Sequence, residues 1–267
     1  MINLPRLHSD ILIIADSFHK FCSDQNIQYF LLGGTALGAA RHQGFIPWDD
    51  DFDVCMDYEN YSKFLELWRL YGSHKEFYLQ REGTDEWPLY FSKLRLNNSR
   101  YIEREDIGRQ MHNGVYIDIM CLNKLSDIRL ERWLQFFCAK LLTAEALNRR
   151  GYKASSLSKN LIIIISRFIV YLTGKAFLLK FVRSKNQLLS SNLYGHMFGR
   201  APYQKSIIKS QQINKRCLVE FSGRKYFSFS DLSGYLKNRF GPNFMDNPSE
   251  KTKASYPSHC VEYIPRN

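Results

Sequence analysis

A chain of 267 residues with 45% hydrophobic and 15% aromatic content can bury a sizeable core in one domain or two small ones, which excludes a disordered tail. Its formal net charge of +11 is unevenly spread. Residues 129–185 hold 12 basic and 2 acidic residues, so a polyanionic partner is expected on that side: anionic lipid, phosphorylated glycan or nucleic acid.

The N-terminal run MINLPRLHSDILIIADSFHK has too short an apolar stretch for a signal peptide. Six cysteines without a CxxC or Cys/His cluster argue against structural zinc and a disulfide framework, and predict a reduced, cytoplasmic compartment. Residues 10–25 read as an amphipathic helix with Ile11, Ile14, Ala15, Phe18, Phe21 and Cys22 on one face, capped by Ser9 or Asp10. IQYFLL follows as a short strand that stops at Gly33-Gly34-Thr35, and TALGAARHQ then reads as a helix. Residues 51–56 read as a second strand, with a helix over YENYSKFLELWRLYG. EFYLQRE, LYFSKLRL and GVYIDIMCL are three further strands. Beyond about Ser126 the pattern turns mainly helical and basic, and a helix opened by Ser230 or Asp231 closes at Phe240 before Gly241-Pro242. The expected architecture is α+β: a catalytic core in residues 1–125, with a mainly helical, basic remainder in 126–267 packed on it. The boundary is soft.

GFIPWDDDFDVCM places four carboxylates in five positions of a basic chain. In a strand, positions i and i+2 share a face, so Asp51 and Asp53 sit side by side while Phe52 and Val54 face the core. Two carboxylates held together repel unless a cation lies between them, and hard oxygen ligands suit Mg²⁺ or Mn²⁺. A solvated acidic turn leaves the alternation unexplained. A calcium loop starting at Asp49 fails, because Val54 stands where glycine is needed and Asn60 where a bidentate Glu is expected. An Asp-x-Asp metal site of a nucleotide-sugar glycosyltransferase stays open as an alternative.

A nucleotidyltransferase-type site demands more: glycines at a strand-to-helix turn, an Asp-x-Asp strand, then a third carboxylate on a later strand. Gly33-Gly34-Thr35, Asp51-Phe52-Asp53 and Asp118 supply these in order. The glycines let backbone N–H groups approach a phosphate at a helix N-terminus. Asp51 and Asp53 hold the metal on a diphosphate, and Asp118 completes the metal shell or takes the proton of an attacking hydroxyl.

LLGGTALGAARHQGFIPWDDDFDVCM, with YENYSKFLEL, FSKLRL and GVYIDIM, closely resembles the signature of the LicD phosphotransferase family, which includes relatives of fukutin. The likeness covers roughly residues 7–122, with a weaker echo in RFGPNFMDNPSEKTKASYP. It implies a nucleotidyltransferase-like mixed sheet with flanking helices. It also implies transfer of a phosphorylated small alcohol, such as phosphocholine, from a CDP-linked donor to a glycan hydroxyl of a lipopolysaccharide or teichoic acid, releasing CMP. By the same likeness Asp51 and Asp53 carry the metal, Asp118 is the third acidic residue, and Gly33, Gly34 and Thr35 face donor phosphate. The echo has Phe240-Gly241-Pro242-Asn243-Phe244-Met245 where the family has a Tyr-Gly-Asp-Tyr-Met-type pattern, so the expected aspartate is missing.

Each supporting residue has two readings. Arg41 could clamp a phosphate or pair with a nearby aspartate, and His42 is a substrate contact or a local hydrogen-bonding residue. Trp48, after Pro47, stacks on a base or packs. Asp50 points away from Asp51 and orients it from behind, whereas Asp49 cannot be placed from the pleat. Lys93 faces a phosphate in the cleft or lies on a solvated strand face. LIIIISRFIVYL is too short to span a bilayer. It is either a buried helix or an interfacial one, docking the enzyme peripherally on anionic membrane through 129–185 beside a lipid-linked glycan acceptor. No nucleic-acid-binding motif accompanies the charge.

Overall fold

The computed structural model describes residues 2–152, 156–187, 191–250, 253 and 260–266. The chain runs α1 (Leu4–Asp24), β1 (Phe30–Leu31), α2 (Gly33–His42), β2 (Asp53–Asp57), α3 (Tyr58–Tyr71), β3 (Phe77–Gln80), β4 (Phe91–Leu96), β5 (Arg100–Glu103) and β6 (Tyr116–Lys124). It continues through α4 (Arg129–Arg150), α5 (Leu157–Thr173), α6 (Lys175–Arg183), β7 (Leu193–Gly195), β8 (Ile207–Lys209), α7 (Ser210–Ile213), β9 (Arg216–Phe221), β10 (Arg224–Phe229), α8 (Leu232–Phe240) and β11 (Cys260–Ile264). The architecture is α+β, around a mixed sheet ordered β1-β2-β6-β4-β3, with β7 joining β6 and β8 joining β7.

Helix α1 starts earlier than the apolar periodicity implied. The Asn3 side chain accepts the Arg6 N–H at 3.1 Å, and Pro5 fits a first turn whose N–H groups lack helical partners. Ser9 and Asp10 therefore lie inside the helix. Asp10 is buried and accepts the Tyr263 hydroxyl at 2.8 Å, which fastens β11 to α1. β1 is cut short because Gly33, at φ 55°, turns the chain into α2.

One core gathers the inner face of α1, the strands and α3, with Phe18, Phe30, Phe52, Val54, Phe64, Trp68, Ile117 and Ile119 fully buried. It also takes in Phe221, Tyr226, Phe229, Tyr235 and Leu236 from the far end of the chain. A second cluster joins Trp87, Leu89 and Tyr90 to α4, α5 and α6 through Leu142, Val170 and Leu178. Helices α4, α5 and α6 take up most of the described residues between 129 and 183 as expected, but β9 and β10 form an antiparallel hairpin. Its two-residue turn, Ser222-Gly223, has positive φ at both positions, which matches the twist of the flanking strands. Phe221 and Tyr226 of this hairpin close over Phe52, with ring centroids 5.3 and 5.5 Å away.

Phe52 is thus the apolar anchor beneath the acidic strand. Phe52→Ala should lower unfolding free energy by about 3–5 kcal/mol, the usual range for emptying a packed aromatic site. Chemical denaturation checks this, and a loss under about 1 kcal/mol would show that the hairpin does not hold the strand.

Candidate active site

β2 begins at Asp53 rather than Asp51, yet the alternation holds one residue further back. Phe52 is buried, and Asp51 and Asp53 flank it on the walls of the same two cavities. The Asp118 N–H donates to Phe52 O at 2.9 Å, so parallel pairing with β6 sets Asp53 directly opposite Asp118. On the other side of β6, antiparallel β4 sets Lys93 opposite Asp118. Three neighbouring strands thus carry Asp53, Asp118 and Lys93 in one row.

Lys93 is not on a solvated face; it is almost wholly buried. Its ammonium lies 3.0 Å from Asp118 Oδ1 and 3.3 Å from Glu103 Oε1, and 3.1 Å from the centre of the Tyr116 ring. Tyr116 donates its hydroxyl to Glu103 at 2.6 Å, and Arg150 of α4 donates to the other Glu103 oxygen at 2.7 Å. Burial opposes ionisation of Glu103, but Lys93 and Arg150 outweigh it and hold this carboxyl well below the usual range. A buried charge needs such partners.

The glycine turn gives the carboxylates room. A Cβ on Gly34 would fall 2.8 Å from Asp49 Oδ2, and one on Gly33 would lie 3.4 Å from Asp53 Oδ2. The Gly33 N–H donates to the Tyr235 hydroxyl at 3.0 Å. Thr35 is buried, and its Oγ1 accepts the Asp53 N–H at 2.8 Å. Gly33 and Gly34 line the larger cavity; Thr35 instead fixes the backbone of β2.

That larger cavity, about 650 Å³, runs past Gly33, Gly34, Arg41, Trp48, Asp49 and Asp50 to the C-terminal segment at Phe244 and Asp246. A second, about 280 Å³, is walled by Lys93, Glu103, Tyr116, Asp118, Thr143, Arg150, His196 and Phe198. The two meet at Asp51 and Asp53, and both also reach Arg200 and Arg239. Arg41 donates to the Phe244 and Asp246 carbonyls at 3.4 and 3.0 Å, and through Nε to His42 Nε2 at 3.0 Å. His42 faces a different hollow, beside Gln43 and Phe45. Trp48 lines the larger cavity, with the Lys253 ammonium 5.0 Å from its ring centre. Asp50 accepts the Tyr101 hydroxyl at 2.7 Å. Arg200 and Arg239 were missed by sequence reasoning. Arg239 opens the C-terminal echo, and that place was the available signal. Of that echo, residues 251–252 and 254–257 lie outside the described residues.

Burial and mutual repulsion raise the acidic group together. Burial first, then Asp53 and Asp49, push Asp51 well above the ordinary aspartate range. Burial and Asp118 push Asp53 up to about 8, with Lys93 and Arg239 pulling the other way. Burial and Asp50 push Asp49 up to about 6. Among the described residues no three His, Cys, Asp or Glu side chains converge into a ready-made metal shell. Asp51 and Asp53 nevertheless supply a hard-oxygen pair whose repulsion a divalent cation would relieve. Asp118 Oδ1 is buried without an aligned hydrogen bond, the Lys93 contact being one of charge. The pair fits a metal, and Asp118 stands beside it tied to Lys93.

The sequence pattern described as LicD/FKTN/FKRP, nucleotidyltransferase domain, matches residues 26–131. Over 263 residues the chain is 26% identical to the lipopolysaccharide cholinephosphotransferase LicD of Haemophilus influenzae, spanning 94% of each chain. An uncharacterized protein of Rickettsia typhi shares 43% identity over 49 residues, 18% of this chain and 16% of that protein. One of Rickettsia prowazekii shares 48% over 42 residues, 16% of each.

Because the folded pKa of Asp53 is raised to about 8, folding favours its protonated form. That contribution is present below the unfolded value of about 3.9 and is lost as pH rises through 8. The lowered histidines, such as His196 at about 3, change stability only below their unfolded pKa of about 6.5. In chelator-containing buffer Tm should therefore fall between about pH 6.5 and 8, and Asp53→Asn should flatten the fall. Thermal melts at fixed ionic strength check this; a wild-type Tm that is flat across the interval contradicts it.

Proposed function

Given that the chain is a LicD-family protein, we propose that it transfers a phosphorylated small alcohol, phosphocholine-like, from a CDP-linked donor to a hydroxyl of a glycan such as that of lipopolysaccharide. The observation that carries this is the Asp51–Asp53 pair, which stands where two cavities meet, with Arg200 and Arg239 reaching both. The likeness to a lipopolysaccharide cholinephosphotransferase along 94% of the chain supports the choice of substrate class.

In this reading Asp51 and Asp53 would hold Mg²⁺ or Mn²⁺, which when bound supplies charge neutralisation at the diphosphate. Gly33 and Gly34 line the larger cavity at the start of α2, where a helix N-terminus favours a phosphate. Arg200 and Arg239, which line both cavities, bind the anionic phosphoryl group. The acceptor hydroxyl approaches from the Asp118 side, and its proton passes to the Asp118 carboxylate. The new bond joins the acceptor oxygen to the phosphorus bearing the alcohol. The bond from that phosphorus to the bridging oxygen breaks, and the electron pair leaves with CMP. Lys93, fixed between Asp118 and Glu103, keeps the Asp118 carboxylate in place.

The partner surface follows from α5 and α6. These helices are not buried: Leu157 is 89% and Tyr171 83% exposed, and Ile162, Ile164, Phe168 and Phe177 are exposed beside them. Among the described residues of these two helices only Ile163, Ser166, Val170, Leu178 and Val182 are buried. No single described helix is long and apolar enough to cross a membrane; one pair, Asn160–Thr173 with Lys175–Arg183, passes that test together but is bent by 89°. An exposed apolar face within a segment carrying 12 basic against 2 acidic residues suits an anionic bilayer surface, where a lipid-linked glycan is presented. α4 connects the two features, since Thr143, Leu147 and Arg150 on it wall the smaller cavity.

Incubation with Mg²⁺, a panel of CDP-alcohols and lipopolysaccharide should release CMP. Asp53→Asn should slow release by at least about a hundredfold while the protein stays folded. Release of a nucleoside diphosphate from a sugar nucleotide instead would make the enzyme a glycosyltransferase and sink this reading.

In a separate test, the protein should pellet with vesicles containing phosphatidylglycerol, less so as salt rises, and Ile164→Ser with Phe168→Ser should abolish pelleting. Equal pelleting of the double variant would remove α5 from the contact.

A further inference from the structure

His196 stands in the loop after β7, only 7% exposed. Neither of its ring nitrogens has a hydrogen-bond partner among the described residues, although its backbone N–H is satisfied by Ser206 O at 2.9 Å. A buried polar atom left this way is a loss that native structures rarely carry without a reason. Gly199 shows what the arrangement accommodates. A Cβ there would fall 2.4 Å from His196 Cε1 and 2.8 Å from each ring nitrogen. Without a side chain, Gly199 lets the edge of the imidazole that carries both nitrogens pack against its backbone. His196 and Gly199 both line the smaller cavity, together with Asp118 and the Asp51–Asp53 pair. Lys140 of α4 donates to the Gly199 carbonyl and fixes the backbone on which the imidazole rests.

We infer that His196 is a substrate-contacting residue that hydrogen-bonds a hydroxyl of the acceptor sugar in the smaller cavity, opposite Asp118. The inference rests on the transferase reading and adds to it the residue that grips the acceptor. Its chemistry separates the two halves of the substrate. Burial, then Arg239 and Lys140, keep the imidazole neutral. It therefore offers one N–H and one lone pair. That set matches a hydroxyl, which gives one hydrogen bond and accepts another. A phosphate carries charge and only acceptors, and it belongs with Arg200 and Arg239, which reach both cavities. Size agrees, since about 280 Å³ is below the usual range for a pocket enclosing a drug-sized ligand and suits a single sugar ring.

The test uses the full chain with CDP-choline, Mg²⁺ and a panel of methyl hexosides as acceptors. CMP release is measured against acceptor and donor concentration for wild type, His196→Phe and His196→Gln. His196→Phe should raise the acceptor KM about tenfold, the loss of one net hydrogen bond, and leave the CDP-choline KM and the Tm in place. His196→Gln, which keeps a donor and an acceptor, should recover part of the loss. In wild type, the imidazole ¹⁵N signals of His196 should shift on adding an accepted hexoside. An unchanged acceptor KM in His196→Phe, or no ¹⁵N shift with an accepted hexoside, overturns the role of His196 alone. No hexoside-dependent CMP release by wild type overturns this acceptor assignment. No CMP release even with lipopolysaccharide overturns the transferase reading with it.

Discussion

Repulsion between carboxylates that the fold forces together is the constraint on which the rest of the structure turns. Asp51 and Asp53 flank the buried Phe52, and parallel pairing sets Asp118 beside them. Left alone, such a group protonates or pushes itself apart. The chain opposes this in two ways. Backbone pairing and the Thr35 hydroxyl fix β2 so that it cannot shift. Cations on either flank, Lys93 and Arg239, offset part of the charge. What remains uncompensated is the Asp51–Asp53 pair, at the junction of the two cavities.

The buried charges below the site serve a different end. Lys93, Glu103, Arg150 and Asp106 form a chain of ion pairs running from β4 through β5 to α4. Buried pairs of this kind contribute little net stability, but breaking one leaves an unpaired charge and is strongly destabilising. Their structural result is positional. α4 is locked to the sheet at Arg150, so one side of the helix walls the smaller cavity while its neighbours α5 and α6 turn an apolar face outward. The proposed chemistry and the proposed membrane contact are thereby joined by one rigid element.

Local pattern revealed the parts of this site that lie within single elements. The glycine turn, the Asp-x-Asp alternation and Asp118 were legible because a two-residue period and a strand-to-helix break are properties of short windows. The ends of elements were less legible: Asn3 rather than Ser9 or Asp10 caps α1, and β2 starts two residues late. The hairpin of β9 and β10 was readable in principle from Ser222-Gly223 between alternating runs, but the basic helical pattern before it dominated the reading. Arg200 and His196 were not legible at all, and Arg239 was marked only as the first residue of the C-terminal echo. Each comes to the site by lining a cavity with Asp51 and Asp53, which lie far from it in sequence. The same holds for Lys93, whose two local readings both missed its partners, Glu103 and Tyr116.

The central claim is that Asp51 and Asp53 form a cation site completed by the donor diphosphate. Electron paramagnetic resonance of Mn²⁺ titrated into the protein tests it most directly, with and without CDP-choline. The account predicts one tight Mn²⁺ per chain, bound more strongly when CDP-choline is present and lost in Asp51→Asn and Asp53→Asn variants that remain folded. Mn²⁺ binding that is indifferent to both substitutions and to the nucleotide would contradict it.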